Sequence, residues 1–169
     1  MRHGITRLPP VFIATCFLAA ACEAGAPPPT PPIVPGSSDA PREVNLIAKD
    51  WQFLPPTVDV VAGETVILHI VNGGLDIHEA VIGGDAVQDA WERAEAATVG
   101  HPPGPTPAVS VPPGVEGIRV VVGSGQRVDL TWTVPAASQS DLVIGCHIPG
   151  HWERGMVVPV RFVRPGASP

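Results

Sequence analysis

The sequence of 169 residues is poor in the residues that most redox and metal proteins use in number: three Cys, two Met and six His. It contains no His-x-His pair. That absence excludes a multinuclear oxygen-reducing cluster, which needs about eight histidines, largely in such pairs. Of the three cysteines, Cys16 and Cys22 fall in the first 22 residues, which leaves Cys146 alone in the remainder. A disulfide framework is therefore excluded, as is a binuclear centre that draws two cysteines from one loop. The longest apolar run, Val11 to Ala21, is shorter than the ~20 residues that span a bilayer. Basic residues are also scarce, 10 against 16 acidic. This balance argues against nucleic acid as a partner and offers little to anionic lipid headgroups.

The first 22 residues read as an export signal. A basic start (Arg2, His3, Arg7) precedes the short apolar run, and Ala19, Ala20 and Ala21 lead into Cys22. The arrangement resembles a bacterial lipoprotein cleavage site, although Ala19 stands where a large aliphatic residue is usual. On that reading residues 1–21 are removed, Cys22 carries the lipid, and the mature chain keeps 8 basic against 16 acidic residues. Residues 22–41 are rich in proline (Pro27-Pro28-Pro29-Thr30-Pro31-Pro32) and read as a semi-rigid tether.

From residue 42 to 165 the chain reads as one all-β domain. Short β-rich runs are separated by Gly, Pro and Asn, and residues alternate in Thr65–Val71 and Arg127–Val134. The expected strands are Glu43–Ala48, Thr57–Val61, Glu64–Asn72, His78–Ile82, Ile118–Gly123, Gln126–Val134, Asp141–His147 and Met156–Val163. Seven or eight such strands predict an antiparallel Greek-key β-sandwich. Residues 84–114 interrupt it as an excursion. Its first half is rich in helix formers, with Asp85 as the expected cap and Val87, Ala90, Trp91 and Ala94 as an apolar stripe; its second half is rich in Pro and Gly.

Chemistry concentrates in Cys146-His147-Ile148-Pro149-Gly150-His151-Trp152-Glu153-Arg154-Gly155-Met156. A thiolate, an imidazole and a thioether recur at spacings of five, and one tight loop between two strands can aim all three at a point. That soft donor set prefers copper to calcium or magnesium. Zinc fits less well, because Met is a poor zinc ligand. A fourth donor must come from elsewhere, and His78, after the glycine turn that follows Asn72, is the candidate. His69 reads as an ordinary strand residue, His101 as a solvent-facing residue of the excursion, and His147 as a strand-end residue facing outward.

Residues 43–164 resemble the cupredoxin (type 1, blue copper) family. Val61-Ala62-Gly63-Glu64-Thr65-Val66 is similar to its early strand, Asn72…His78 to its first ligand segment, and Cys146…His151…Met156 to its ligand loop. The four-residue gaps on each side of His151 are most similar to the rusticyanin and sulfocyanin group. The resemblance implies one copper cycling between Cu(I) and Cu(II), with His78, Cys146 and His151 as strong ligands and Met156 as the weak axial one. It also implies electron transfer rather than catalysis, hence no enzyme. Small cupredoxins often carry Asn or Ser just after the first ligand histidine; here that place holds Glu79, which would favour Cu(II) if it points inward and stays ionised. Glu79 and Asn72 are thus the expected residues around the ligands. Ile148, Pro149 and Trp152 are the expected apolar rim for a transient redox partner such as a cytochrome, oxidase or reductase. The expected protein is a monomer on the outer face of the cytoplasmic membrane or in the periplasm. A copper carrier or scavenger is the alternative, against which the shortage of Met and His clusters argues.

Overall fold

The structure, a computed structural model, describes residues 30–99 and 109–168. Residues 1–21, Cys22, the first part of the Pro-rich tether and His101 lie outside the described residues. Nine strands and one helix follow in order: β1 (Arg42–Lys49), β2 (Gln52–Leu54), β3 (Val58–Val60), β4 (Thr65–Asn72), β5 (His78–Gly83), α1 (Asp85–Ala96), β6 (Ile118–Val122), β7 (Arg127–Thr133), β8 (Val143–Gly145) and β9 (Val157–Phe162). They form a four-stranded sheet, β2-β1-β4-β7, facing a five-stranded sheet, β3-β9-β8-β5-β6. The fold is the expected β-sandwich, with one strand more than expected.

Both sheets are mixed rather than purely antiparallel. β1 runs parallel to β4, with Leu46 opposite Ile70, and β3 runs parallel to β9. The chain leaves β1 through the β2 hairpin, crosses to β3 in the other sheet, and returns as β4 in the direction of β1. Alternation shows which face of a strand is buried but not which way its neighbour runs, so the sequence could not show this. The short β2 also went unseen. Its hairpin turns on Asp50 and Trp51, and Trp51 takes φ 68°, a left-handed conformation uncommon for a residue with a bulky side chain.

The core lies between the sheets and includes Leu46, Leu68, Ile70, Ala80, Val122, Ile144 and Val158, all essentially buried. Burying each of the larger aliphatic side chains contributes about 1.5–3 kcal/mol. Every residue of β5 is buried, because α1 packs on its outer face while the core covers its inner one. Alternation then assigns the faces. Ala80, Ile82, Ile144 and Cys146 belong to the core cluster, so Glu79, Val81, Gly145 and His147 turn toward α1.

The helix starts at Gly84 with no side-chain cap, so Asp85 is not the cap that the sequence suggested. Instead Asp85 donates its own backbone N–H to Asp141 Oδ2, at 3.4 Å, from the segment before β8. The buried face carries Gln88, Ala90, Trp91 and Glu95, whereas Val87 and Ala94 of the expected apolar stripe are only half-buried. Before β1, Ile33 is buried and pairs through its backbone with Gly166 and Ala167. Among the described residues no helix is long and apolar enough to cross a membrane.

Candidate metal centre

The site lies at one end of the five-stranded sheet, where β5 begins and β8 ends. Asn72 closes β4 and shapes the segment that follows. Its Nδ2 donates to the carbonyls of Asp76 (2.7 Å) and Val122 (3.0 Å), and its Oδ1 accepts the Gly74 N–H (2.9 Å). From the β1–β2 turn, Asp50 Oδ1 accepts the N–H groups of Leu75 and Asp76 and lies 3.2 Å from His78 Nε2. Burial works against the Asp50 carboxylate, but these hydrogen bonds and the nearby His78 hold its pKa below the ordinary value. Nε2 of His78 thus faces a carboxylate acceptor, which leaves Nδ1 as its metal-facing nitrogen. Asn72 was expected near the site; Asp50 was missed, since nothing in a two-residue hairpin turn marks it as a neighbour of residue 78.

The ligand loop is closed by its own backbone. Cys146 N–H donates to the Met156 carbonyl (3.0 Å), and Met156 N–H to the His151 carbonyl (3.1 Å). Between them His151 N–H donates to Ile148 and Gly155 N–H to Trp152. Gly150 at φ 88° and Gly155 at φ 86° make the two reversals that residues with a Cβ rarely adopt. His78, Cys146 and His151 thereby converge, with one donor atom of each within 4.8 Å of the others. The two Nδ1 atoms are 3.2 Å apart, and Cys146 Sγ is 3.4 Å from His151 Nδ1. All three side chains are buried. Met156, joined to Cys146 and His151 through its backbone, is fully buried.

This donor set fits a metal ion. Bonds of about 2.0 Å to nitrogen and 2.3 Å to sulfur separate neighbouring donors by roughly 3.3–3.7 Å, close to the two separations that His151 makes with His78 and Cys146. Without a cation the packing is unfavourable to charge. Burial above all pushes the Cys146 thiol up to about 12; the Glu79 and Glu95 charges add to the shift, against the N–H groups of Glu79 and Ile148. Burial, with His78 next, lowers the pKa of His151. A protonated thiol thus sits beside a His151 ring whose charged form burial disfavours.

Glu79 is fully buried, with its carboxylate on the α1 face of β5 rather than in the core between the sheets. Its backbone N–H reaches Cys146 Sγ at 3.5 Å, its Oε1 accepts the His147 N–H at 3.0 Å, and its Oε2 pairs with Arg119 Nε at 2.6 Å. The negative charge considered from the sequence therefore has a counter-ion in Arg119, which also pairs with Glu95 at 2.7 Å.

The outward placement expected for His147 is wrong. The ring is buried under α1, with Nδ1 2.8 Å from Glu92 Oε2 and Nε2 2.7 Å from Gln88 Oε1. Trp152 stacks on it at 4.7 Å and is half-buried, which removes much of it from the expected rim. The sequence did not show α1 lying over the end of β8, so His147 seemed to have nothing to turn toward. Ile148 is half-buried and Pro149 exposed. Exposed apolar surface at this end comes also from Leu75 (86%), Ile77 and Trp51, with Arg154 stacked over Trp51 at 4.2 Å. Away from the site, His69 pairs with Asp129 at 2.8 Å within its sheet, an ordinary strand residue as read.

No family model matches the chain. It is similar to the protein named copper-resistant cuproprotein CopI of Pseudomonas aeruginosa, at 28% identity over 140 residues that cover 72% of this chain and 76% of the relative. A protein of the same name from Rubrivivax gelatinosus is 32% identical over 122 residues, 72% of this chain and 66% of the relative. Among solved structures, reduced auracyanin of Roseiflexus castenholzii superposes with a TM-score of 0.58 at 20% identity, covering 76% of this chain and all of that one.

Proposed function

On the footing that this chain has the cupredoxin fold, we propose that it is an extracytoplasmic type 1 copper protein carrying single electrons between redox partners. The observation that carries the reading is the convergence of His78, Cys146 and His151 in a buried, pre-shaped cluster. His78, Cys146 and His151 would hold the copper strongly, with Met156 as a weaker fourth donor. Bound copper supplies a one-electron Cu(II)/Cu(I) couple.

The chain's own contribution is to fix the ligands and keep water out. Asp50 orients His78, the closed loop fixes Cys146 against His151, and Gly150 and Gly155 let the loop turn without strain. Donors already at coordination spacing need little movement between oxidation states, which favours fast exchange. His151 is 6% exposed and its ring edge is the shortest way out. Leu75, Ile77 and Pro149, exposed at the same end of the sandwich, offer apolar surface suited to a small, transient contact. Retained from the sequence reading are lipid attachment at Cys22, monomeric state and the lack of any catalytic role. So is a redox protein rather than nucleic acid as partner.

The names of the two curated relatives favour a second reading, copper handling in resistance without electron exchange. One experiment separates the two. Copper-loaded protein should show an intense visible thiolate-to-copper band, reversible one-electron reduction and rapid exchange with a small redox protein. A blue protein that exchanges electrons with no membrane or periplasmic partner, while its deletion sensitises cells to copper, would move the assignment to copper handling. His151→Gly should open the metal to added imidazole, and an unchanged spectrum there would refute the ligand set.

A further inference from the structure

We propose that α1 is a positioning element for the copper-ligating sulfur: Gln88, Glu92 and Glu95 act on Cys146 through His147 and through the Arg119–Glu79 pair. The inference rests on the copper reading above and assigns a role to the helix, which that reading leaves unused.

The three residues are spaced i, i+4 and i+7 and so share one helical face. A helix that only covered a sheet would bury an apolar stripe there. This one buries Gln88 and Glu95 almost completely. Polar groups so buried are costly unless they are fully partnered. Here they are partnered, and the partners lead to the sulfur by two routes.

The first route is ionic. Arg119 donates through Nη2 to Glu95 Oε1 at 2.7 Å and through Nε to Glu79 Oε2 at 2.6 Å, and its guanidinium also lies over Trp91 at 4.7 Å. Glu79 then holds Cys146 from both sides. Its main-chain N–H points at Sγ, and its carboxylate accepts the N–H of the next residue, His147. The second route is the His147 ring. The Gln88 side-chain nitrogen donates to the carbonyls of Val81 (3.0 Å) and Gly83 (3.1 Å), which leaves its oxygen facing His147 Nε2. Glu92 takes the other ring nitrogen and Trp152 the ring face. Gly145 completes the fit, since a Cβ there would lie 2.5 Å from Gln88 Oε1 and 2.6 Å from Trp152 Cζ3. The residues on both sides of Cys146 are thus set by contacts that originate in α1.

The test uses the full chain loaded with copper. Glu95→Gln removes one charge of the pair with little change of shape, and it should raise the Cu(I)-to-Cu(II) affinity ratio at least threefold. At 59 mV per tenfold for one electron this is about 28 mV. Glu95→Asp keeps the charge and should hold the parental potential even if it melts lower, an outcome that mere packing would not produce. Gln88→Leu should shift the thiolate-to-copper band. Copper-loaded, folded Glu95→Gln and Gln88→Leu proteins with parental potential and band would overturn the proposal. If the parent takes up no copper at all, the copper reading has failed instead, and the helix is judged in metal-free protein. There, Gln88→Leu should speed alkylation of Cys146 at least tenfold, and an unchanged rate would overturn the proposal.

Discussion

Copper uptake should expel one proton from Cys146 across the whole range from pH 7 to 9. Burial moves this thiol from 9.0 to about 12, a thousandfold in the proton equilibrium. At 1.36 kcal/mol per unit the ionised form is disfavoured by about 4 kcal/mol relative to water. The metal takes the thiolate, so the proton must leave on binding. His151, with its pKa lowered by burial, is already neutral above pH 7 and adds none. The apparent copper affinity should therefore rise about tenfold per pH unit, and calorimetry in two buffers of different ionisation enthalpy should count one proton. The same shift acts on the metal-free protein. Its sign follows from the unfolded thiol ionising first. Stability is complete below pH 9, falls as pH rises toward 12, and loses about 4 kcal/mol in total. Cys146→Ser should flatten that alkaline slope. Uptake at pH 8 with no proton released would mean the thiolate already exists in the empty site, and would refute the burial argument.

Gly145→Ala should cost about 1–3 kcal/mol by overpacking against Gln88 and Trp152, read as a fall of several degrees in Tm; an unchanged Tm would show that α1 sits more loosely. Asp50→Asn should weaken copper binding 10- to 100-fold, as loss of a ligand-orienting carboxylate does, and titration against a competing chelator measures it. Met156→Leu should keep the visible band and raise the reduction potential, so loss of copper in that variant would contradict the axial role. Below pH 6.5 the metal-free protein should lose stability as His151 is forced to charge in a buried place; urea titrations at pH 5 and 7 would show it, and equal midpoints would count against it.

The two long strands of the four-stranded sheet and the ligand loop were legible because their causes are local. Alternation marked β4 and β7, and the five-residue spacing of Cys146, His151 and Met156 marked the loop. What escaped was set by neighbours distant in the chain. The directions of β1 and β3 depend on crossings between sheets, which leave no trace in either strand's own pattern. His147 looked exposed because its partners, Gln88 and Glu92, sit in a segment that seemed external to the sandwich. Glu79 could be placed beside the site but not valued, since Arg119, which balances its charge, and Glu95, which competes for that arginine, are 40 and 16 residues away in sequence. Polar residues in the helix stripe were the available clue. Gln88 and Glu95 fall on the same face as Ala90 and Trp91, and that mixture argues against a purely apolar packing surface.

The β1–β2 turn has a consequence for how this protein can change over generations. Asp50 reaches back to Leu75, Asp76 and His78, while Trp51, held at φ 68°, lies beneath Arg154 of the ligand loop. Residues 50, 51, 75, 78 and 154 therefore form one heritable unit scattered over a hundred positions of sequence. Substitutions within it should be non-additive, as contacting residues are. A lineage that loses Asp50 frees the 73–77 segment to vary, and one that keeps it is bound to keep that segment's length. Drift in this corner would then proceed by paired steps.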